Sequence, residues 1–298
     1  MSPRHTRDTV AYMSHPSLKI ALITEVYFDD LDGERLTRRL CEARAAGADL
    51  AVLPELPLDP WVPATRNADP ADAEEPQGRR QQLQANAARQ AGIAVLGGAI
   101  VRDPETGKRH NTALLIDNRG LLCGTYRKVH LPYEKDFWEA AHYEPGTEPP
   151  TALPGFALPL GIQICSDANR TSGCQLLAAQ GVGAIFVPRA TPAESWSRWR
   201  LVLRADAVTS AAYVVTVNRP SSGESSPIGG PSAVLGPDGE VMIETTEPMA
   251  VVRLDPEAVA RARGAYPGYL DFHPDVHERG WKTVISYEAP AGDRKTKF

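Results

Sequence analysis

Cysteine is scarce in this chain, with four in 298 residues, at Cys41, Cys123, Cys165 and Cys174. None lies at Cys-x-x-Cys spacing, which excludes a disulfide scaffold and the common zinc and redox motifs, and reduced thiols in a cytoplasm are the simplest reading. Long apolar runs are missing too. The longest, such as Gly183-Ala-Ile-Phe-Val187, fall far short of the roughly 18–20 residues that cross a bilayer, so no membrane span is expected. No block of like charge runs along the chain. The 37 acidic and 32 basic residues give a formal net charge of -5, which argues against a nucleic-acid partner. Neither a Gly-x-Gly-x-x-Gly turn after a strand nor a P-loop occurs, so nothing supports a nucleotide cofactor, and no cofactor is expected. His273 and His277 have i, i+4 spacing, yet no third ligand is evident and Pro274 weakens the helix that would align them. A solvated tail is expected there rather than a metal site.

What is present is the material of a globular enzyme-sized unit: 42% hydrophobic and 23% charged residues over a length that allows one large or two ordinary domains. Residues 1–17 scatter charge among small residues without an apolar h-region and read as a mobile leader. Leu18-Lys-Ile-Ala-Leu-Ile-Thr24 is a β-favouring run, and Glu34 to Ala46 carries Leu36, Leu40 and Ala43 at helical spacing before Gly47. Asp49 to Pro54, Arg79 to Ala91 and Ile93 to Val101 repeat strand, helix and strand. Turns at Asp103-Pro-Glu-Thr-Gly107 and Asn118-Arg-Gly120 then punctuate three apolar segments at hairpin distance.

After a proline-rich loop from Pro145 to Pro154 the opening grammar returns, with strands at 161–164, 183–187 and 213–217 and helices at 172–180 and 194–212. Three more strands, at 232–235, 240–243 and 249–254, complete the pattern. Helices paired with mixed strands in two similar halves predict an α/β fold with two sheets packed on each other and helices outside, a four-layer α-β-β-α sandwich. No linker rich in Gly or Ser divides the halves.

Three residues stand at the carboxyl ends of predicted strands, where sheets of this type gather functional groups. Glu55 follows Pro54, Lys128 sits in Tyr126-Arg-Lys-Val-His-Leu-Pro132, and Cys165 closes Gly161-Ile-Gln-Ile-Cys165. Alone, each has an ordinary structural reading: a loop carboxylate, a surface cation, a buried core thiol. Together they resemble the nitrilase superfamily of carbon-nitrogen hydrolases. The glutamate motif is matched by Leu53-Pro-Glu-Leu56, the lysine motif by the stretch around Lys128, and the nucleophile motif by Ile162-Gln-Ile-Cys-Ser-Asp167. Lys128 lies 73 positions after Glu55, and Cys165 lies 37 after Lys128. Softer matches fall at 111–117, 143–146, 213–218 and 236–240, so the resemblance runs from Lys19 to about Leu254.

The resemblance implies a domain over 18–264, a C-terminal extension over 265–298 at a possible interface, and a homodimer or larger homo-oligomer. It implies Cys165 as nucleophile, Glu55 as proton carrier, and Lys128 with the backbone N–H of Ser166 as oxyanion donors. Glu139 matches a second glutamate that orients substrate and lysine in many members. Nitrile-cleaving members usually carry Cys-Trp-Glu at the nucleophile, whereas this chain has Cys165-Ser166-Asp167, which points to a small amide or N-carbamoyl substrate. The usual continuation is replaced by Ala168-Asn-Arg-Thr-Ser-Gly173, which leaves substrate identity open.

Further candidates carry two readings each. Arg170 and Arg189 can clamp a substrate carboxylate or make a structural ion pair. Trp61 can line the pocket or pack a loop, and Asn169 lies in the same polar stretch as Arg170. His130 sits two residues past Lys128, so that a shared strand face would allow a Cys-His dyad. Two other functions remain: an acyltransferase that passes the thioester to an amine, and a silent scaffold that keeps the fold.

Overall fold

The computed structural model describes residues 17–221 and 227–284; most of the leader and the end of the C-terminal extension lie outside the described residues. The first half runs β1 (Leu18–Ile23), α1 (Glu34–Ala45), β2 (Leu50–Val52), α2 (Arg79–Ala91), β3 (Ala94–Arg102), β4 (Arg109–Ile116), β5 (Leu122–Arg127) and the single turn α3 (Glu139–His142). The second runs β6 (Leu160–Ile162), α4 (Ser172–Ala179), β7 (Ala184–Arg189), α5 (Trp196–Ser210), β8 (Tyr213–Asn218), β9 (Ser232–Leu235), β10 (Val241–Thr245) and β11 (Met249–Leu254). Helices α6 (Pro256–Gly264) and α7 (Pro274–Val284) follow.

One sheet has the order β11-β1-β2-β3-β4-β5, the other β10-β9-β8-β7-β6. Within the first, β1, β2 and β3 are parallel and β3, β4 and β5 antiparallel. Within the second, β6, β7 and β8 are parallel. Strand β11 returns to pair with β1, so the last of the described strands forms an edge of the first sheet.

Side chains alternate along each strand, and the alternation builds the layers. Leu18, Ile20 and Leu22 face the second sheet and share a core with Ile162, Ile185, Val214 and Val234. Ala21 and Ile23 point the other way and pack beneath Leu36, Leu40 and Ala43 of α1 and Ala87 of α2. On the far side, Leu177 of α4 and Leu203 of α5 cover the second sheet. The result is the α-β-β-α sandwich that the helix and strand pattern predicts. One polar strut crosses these layers: buried Gln84 of α2 accepts from the Gly98 N–H at 3.0 Å and donates to the Gly98 carbonyl at 3.1 Å. A Cβ on neighbouring Gly97 would stand 1.9 Å from its Oε1, so only glycine admits the strut.

Pro274 does not weaken a helix; it opens α7. A first-turn proline gives up an N–H that has no intrahelical partner in any case, and its fixed φ suits the helix. His273 and His277 therefore flank a helix start. Among the described residues no group of three metal-ligating side chains forms, and no helix is long and apolar enough to cross a membrane. All four cysteines are free.

Candidate active site

Strand β2 ends at Val52, and Leu53 and Pro54 carry the chain to Glu55 at the rim of the first sheet. Lys128 follows β5 directly, and its N–H continues the ladder to the Asn111 carbonyl of β4 at 2.9 Å. Cys165 follows β6 at the start of a short 3-10 turn over Cys165–Asn169. The fold thus brings three strand ends, far apart in the chain, to one place.

All three side chains are inaccessible: Glu55 is 2% exposed, Lys128 0% and Cys165 4%. Lys128 Nζ donates to Glu55 Oε1 at 2.7 Å and to Glu139 Oε1 and Oε2 at 2.7 and 2.8 Å. Asn111 Nδ2 donates to the same Glu55 Oε1 at 2.8 Å, while Glu55 Oε2 is buried with no hydrogen-bond partner. One carboxylate oxygen is fully engaged, and the other is left to meet a proton.

Burial alone would push the Lys128 amine toward its neutral form, but the carboxylates of Glu139 and Glu55 outweigh it and hold the ammonium well above its ordinary value. Burial, only partly offset by Lys128, pushes Glu139 up to about 7. Burial and the nearby Glu55 carboxylate push the Cys165 thiol upward, with Lys128 and the Ala190 backbone N–H opposing. The resting sulfur is therefore a thiol, and attack requires a base in the same step.

The nucleophile turn is strained and pinned. Cys165 has a φ of 47°, a left-handed conformation that costs a non-glycine residue about 1–3 kcal/mol. Asp167, fully buried, holds this turn against the lysine segment. Its carboxylate accepts from the His130 N–H at 2.8 Å, the Val129 N–H at 3.2 Å, the Tyr126 hydroxyl at 3.0 Å and the Ile164 N–H at 3.3 Å.

His130 lies beyond the end of β5, so it shares no strand face with Lys128. Its Nδ1 stands 2.8 Å from Asp167 Oδ1 and its side chain is 44% exposed. The structure thus ties His130 to Asp167 rather than to the sulfur. The Ser166 hydroxyl donates to the His130 carbonyl, a third link between the two segments.

Arg189 forms no ion pair among the described residues, and its charge lies close enough to the Cys165 sulfur to act on it. It is fully buried, its Nε donates to Thr216 Oγ1 at 2.9 Å, and its other nitrogens donate to Thr191 Oγ1 and the Pro231 carbonyl. Trp196 and Trp199 cover the guanidinium at 4.8 and 5.7 Å. Asn169 and Arg170 are exposed, and Arg170 forms no ion pair among the described residues. Trp61 donates from Nε1 to the Asp136 carbonyl and meets the Phe137 ring edge-on at 5.8 Å, in an apolar cluster with Ala190 and Ile228.

Three residues of the site carry no role in the sequence reading: Asn111, Asp167 and Arg219. Asn111 opens a stretch that matches the superfamily, Asp167 stands within the nucleophile motif, and Arg219 directly follows the match at 213–218. The motifs thus reached these positions without showing what they touch.

The family model for carbon-nitrogen hydrolases matches residues 20–263. Human omega-amidase NIT2 is 27% identical over 273 residues, covering 88% of this chain and 97% of that protein. Omega-amidase NIT3 of Saccharomyces cerevisiae is 30% identical over 196 residues, covering 62% and 67%. Among solved structures, an amidase from Nesterenkonia sp. superposes with a TM-score of 0.72 at 26% identity, covering 92% and 98% of the two chains. A mutant of the Nesterenkonia sp. AN1 amidase, 25% identical and with a TM-score of 0.72, carries the acetamide moiety of fluoroacetamide on its active-site cysteine. With its fold, its strand-end residues and a family match spanning most of its length, this chain belongs to the carbon-nitrogen hydrolase family of the nitrilase superfamily.

Proposed function

We propose that the protein hydrolyses the carbon-nitrogen bond of a small amide through an acyl thioester on Cys165. The observation that carries this reading is the buried ammonium of Lys128, 2.7 Å from Glu55 and 2.7 Å from Glu139, beside a free thiol. A fixed positive charge in a water-excluded site is poorly spent on structure alone, but it suits an oxyanion.

In the first half-reaction the Cys165 sulfur attacks the amide carbonyl carbon while its proton passes to Glu55. The tetrahedral oxyanion is held by Lys128 and the Ser166 N–H, and loss of one such donor typically raises a barrier by about 2.7–4 kcal/mol. Collapse breaks the carbon-nitrogen bond, and Glu55 returns the proton to the leaving nitrogen, releasing ammonia or an amine. In the second half-reaction Glu55 takes a proton from water, hydroxide adds to the thioester, and the released sulfur regains its proton. Glu139 keeps Lys128 charged and directed through both. Similarity to omega-amidases and to an amidase structure supports an amide over a nitrile.

The experiment is ammonia release from a panel of small amides, omega-amides of dicarboxylic acids and N-carbamoyl compounds. Turnover of an amide that is abolished in Cys165→Ala supports the reading, and turnover that survives the substitution refutes it. Added hydroxylamine distinguishes hydrolysis from acyl transfer by the hydroxamate formed. A homodimer in the cytoplasm is proposed on the superfamily resemblance, and light scattering of the full chain tests the stoichiometry.

A further inference from the structure

Arg219 directly follows β8 of the second sheet, yet its guanidinium crosses to the loop that leaves β2 of the first. Its two terminal nitrogens meet three backbone carbonyls there. NH1 donates to Glu55 at 3.1 Å, Leu56 at 2.6 Å and Asp59 at 3.2 Å, and NH2 donates to Asp59 at 3.1 Å. Arg219 is only 2% exposed, the Trp61 ring lies 5.6 Å from it, and among the described residues it pairs with no carboxylate side chain.

The loop it holds is a constrained one. Leu56, next to Glu55, has a φ of 49°, a left-handed conformation unusual for leucine. Three carbonyls turned inward need donors, since a buried acceptor left unmade costs about 1–3 kcal/mol. Arg219 supplies one to each, and the Asp59 N–H also donates to the Leu56 carbonyl at 3.2 Å. Asp59, at the far end of the loop, is anchored separately by Arg80.

The charge matters as well as the hydrogen bonds. Facing the Cys165 sulfur are Glu55 from the loop after β2, Lys128 after β5, Glu139 from α3 and Arg189 at the end of β7. The two carboxylates oppose thiolate formation, and the two cations favour it. Burial lowers Arg219 to about 10, with Asp59 and Glu55 opposing, so it is still a cation at neutral pH beside this cluster. Tyr143, buried near the same carboxylates, is held protonated by burial and by the charge of Glu139.

We propose that Arg219 is a positioning residue of the hydrolase site: it fixes the backbone of Glu55 so that the carboxylate meets Lys128 and Cys165, and its charge offsets that of Glu55. The role rests on the reading of Glu55 and Cys165 given above. A misplacement of about 1 Å at a reacting group can cost on the order of 100-fold in rate.

Two variants separate the contributions. Arg219→Lys keeps the charge and loses the fork that reaches three carbonyls; Arg219→Gln loses both. The measurements are kcat and KM for the most rapidly cleaved amide, the pH dependence of Cys165 alkylation by iodoacetamide followed by mass spectrometry, and thermal unfolding. The expected result is a kcat at least tenfold lower in both variants with KM changed less than threefold. The pH midpoint of alkylation is expected to rise in Arg219→Gln and to stay near wild type in Arg219→Lys.

Unchanged kcat and an unchanged alkylation profile in both variants overturn the proposal. So does a loss of activity that merely follows the loss of folded protein. If Arg219→Gln does not fold, Arg219→Lys decides by its kcat and KM. If the wild type cleaves no amide, the functional reading fails, while the alkylation profiles still decide whether Arg219 tunes the Cys165 environment.

Discussion

Replacing Asp167 by Asn tests the joint between the nucleophile turn and the lysine segment. The Asp167 carboxylate accepts from two backbone N–H groups and a ring nitrogen on the β5 side, from the Tyr126 hydroxyl, and from the Ile164 N–H. An amide of the same shape has only one oxygen. Whichever way it turns, its NH2 faces donors: Tyr126 and Ile164 on one side, or the Val129 and His130 N–H groups on the other. Hydrogen bonds to a charged acceptor contribute about 1.5–3 kcal/mol each, and the losses overlap because the groups share one carboxylate. Asp167→Asn is therefore expected to lower unfolding stability by about 3 kcal/mol. Tyr126→Phe, which removes one donor and leaves the rest, is expected to cost about 1–1.5 kcal/mol. Urea unfolding at pH 7 measures both. A loss below about 1 kcal/mol for Asp167→Asn would refute the assignment of Asp167 as the joint.

Glu139→Gln removes one of the two negative charges facing Cys165. Above the value of about 7 to which burial raises Glu139, its carboxylate is ionised and opposes the thiolate. The variant is expected to alkylate at a lower pH midpoint than wild type while turning over amide at least tenfold more slowly; an unchanged midpoint contradicts the electrostatic account. Asp206, fully buried on α5, is raised to about 7 by burial, and no cation pairs with it among the described residues. The folded state then binds more protons than the unfolded one between about pH 4 and 7, so this group lowers stability as pH rises through that window. Asp206→Asn should stabilise by about 1–3 kcal/mol at pH 8 and by little at pH 4.5. Equal effects at the two pH values would show that the carboxylate is paired.

Much of this architecture is legible along the chain because it is written in local periodicity. Leu36, Leu40 and Ala43 on α1 and the alternation along β1 report their own buried faces. The strand ends that deliver Glu55, Lys128 and Cys165 follow from where apolar runs stop. What stays hidden is whatever depends on contacts across the sheets. Arg219 meets Glu55 across 164 positions, and Gln84 meets Gly98 through a helix-to-sheet packing that no spacing encodes. Arg189 is hidden in the same way, since nothing along the chain shows that Thr191, Thr216 and Pro231 each take one of its donors. Helix α7 is hard to see in the sequence because proline inside a helix breaks it, whereas at a first turn it starts one.

The account stands on covalent chemistry at one sulfur, and acid quenching during amide turnover, followed by peptide mass spectrometry, reads it directly. The predicted result is an acyl group on the peptide containing Cys165 that builds up in the steady state, disappears once amide is exhausted, and is absent in Cys165→Ala. Turnover with no acyl group on that peptide, or with the group on Cys41, Cys123 or Cys174, would contradict the account.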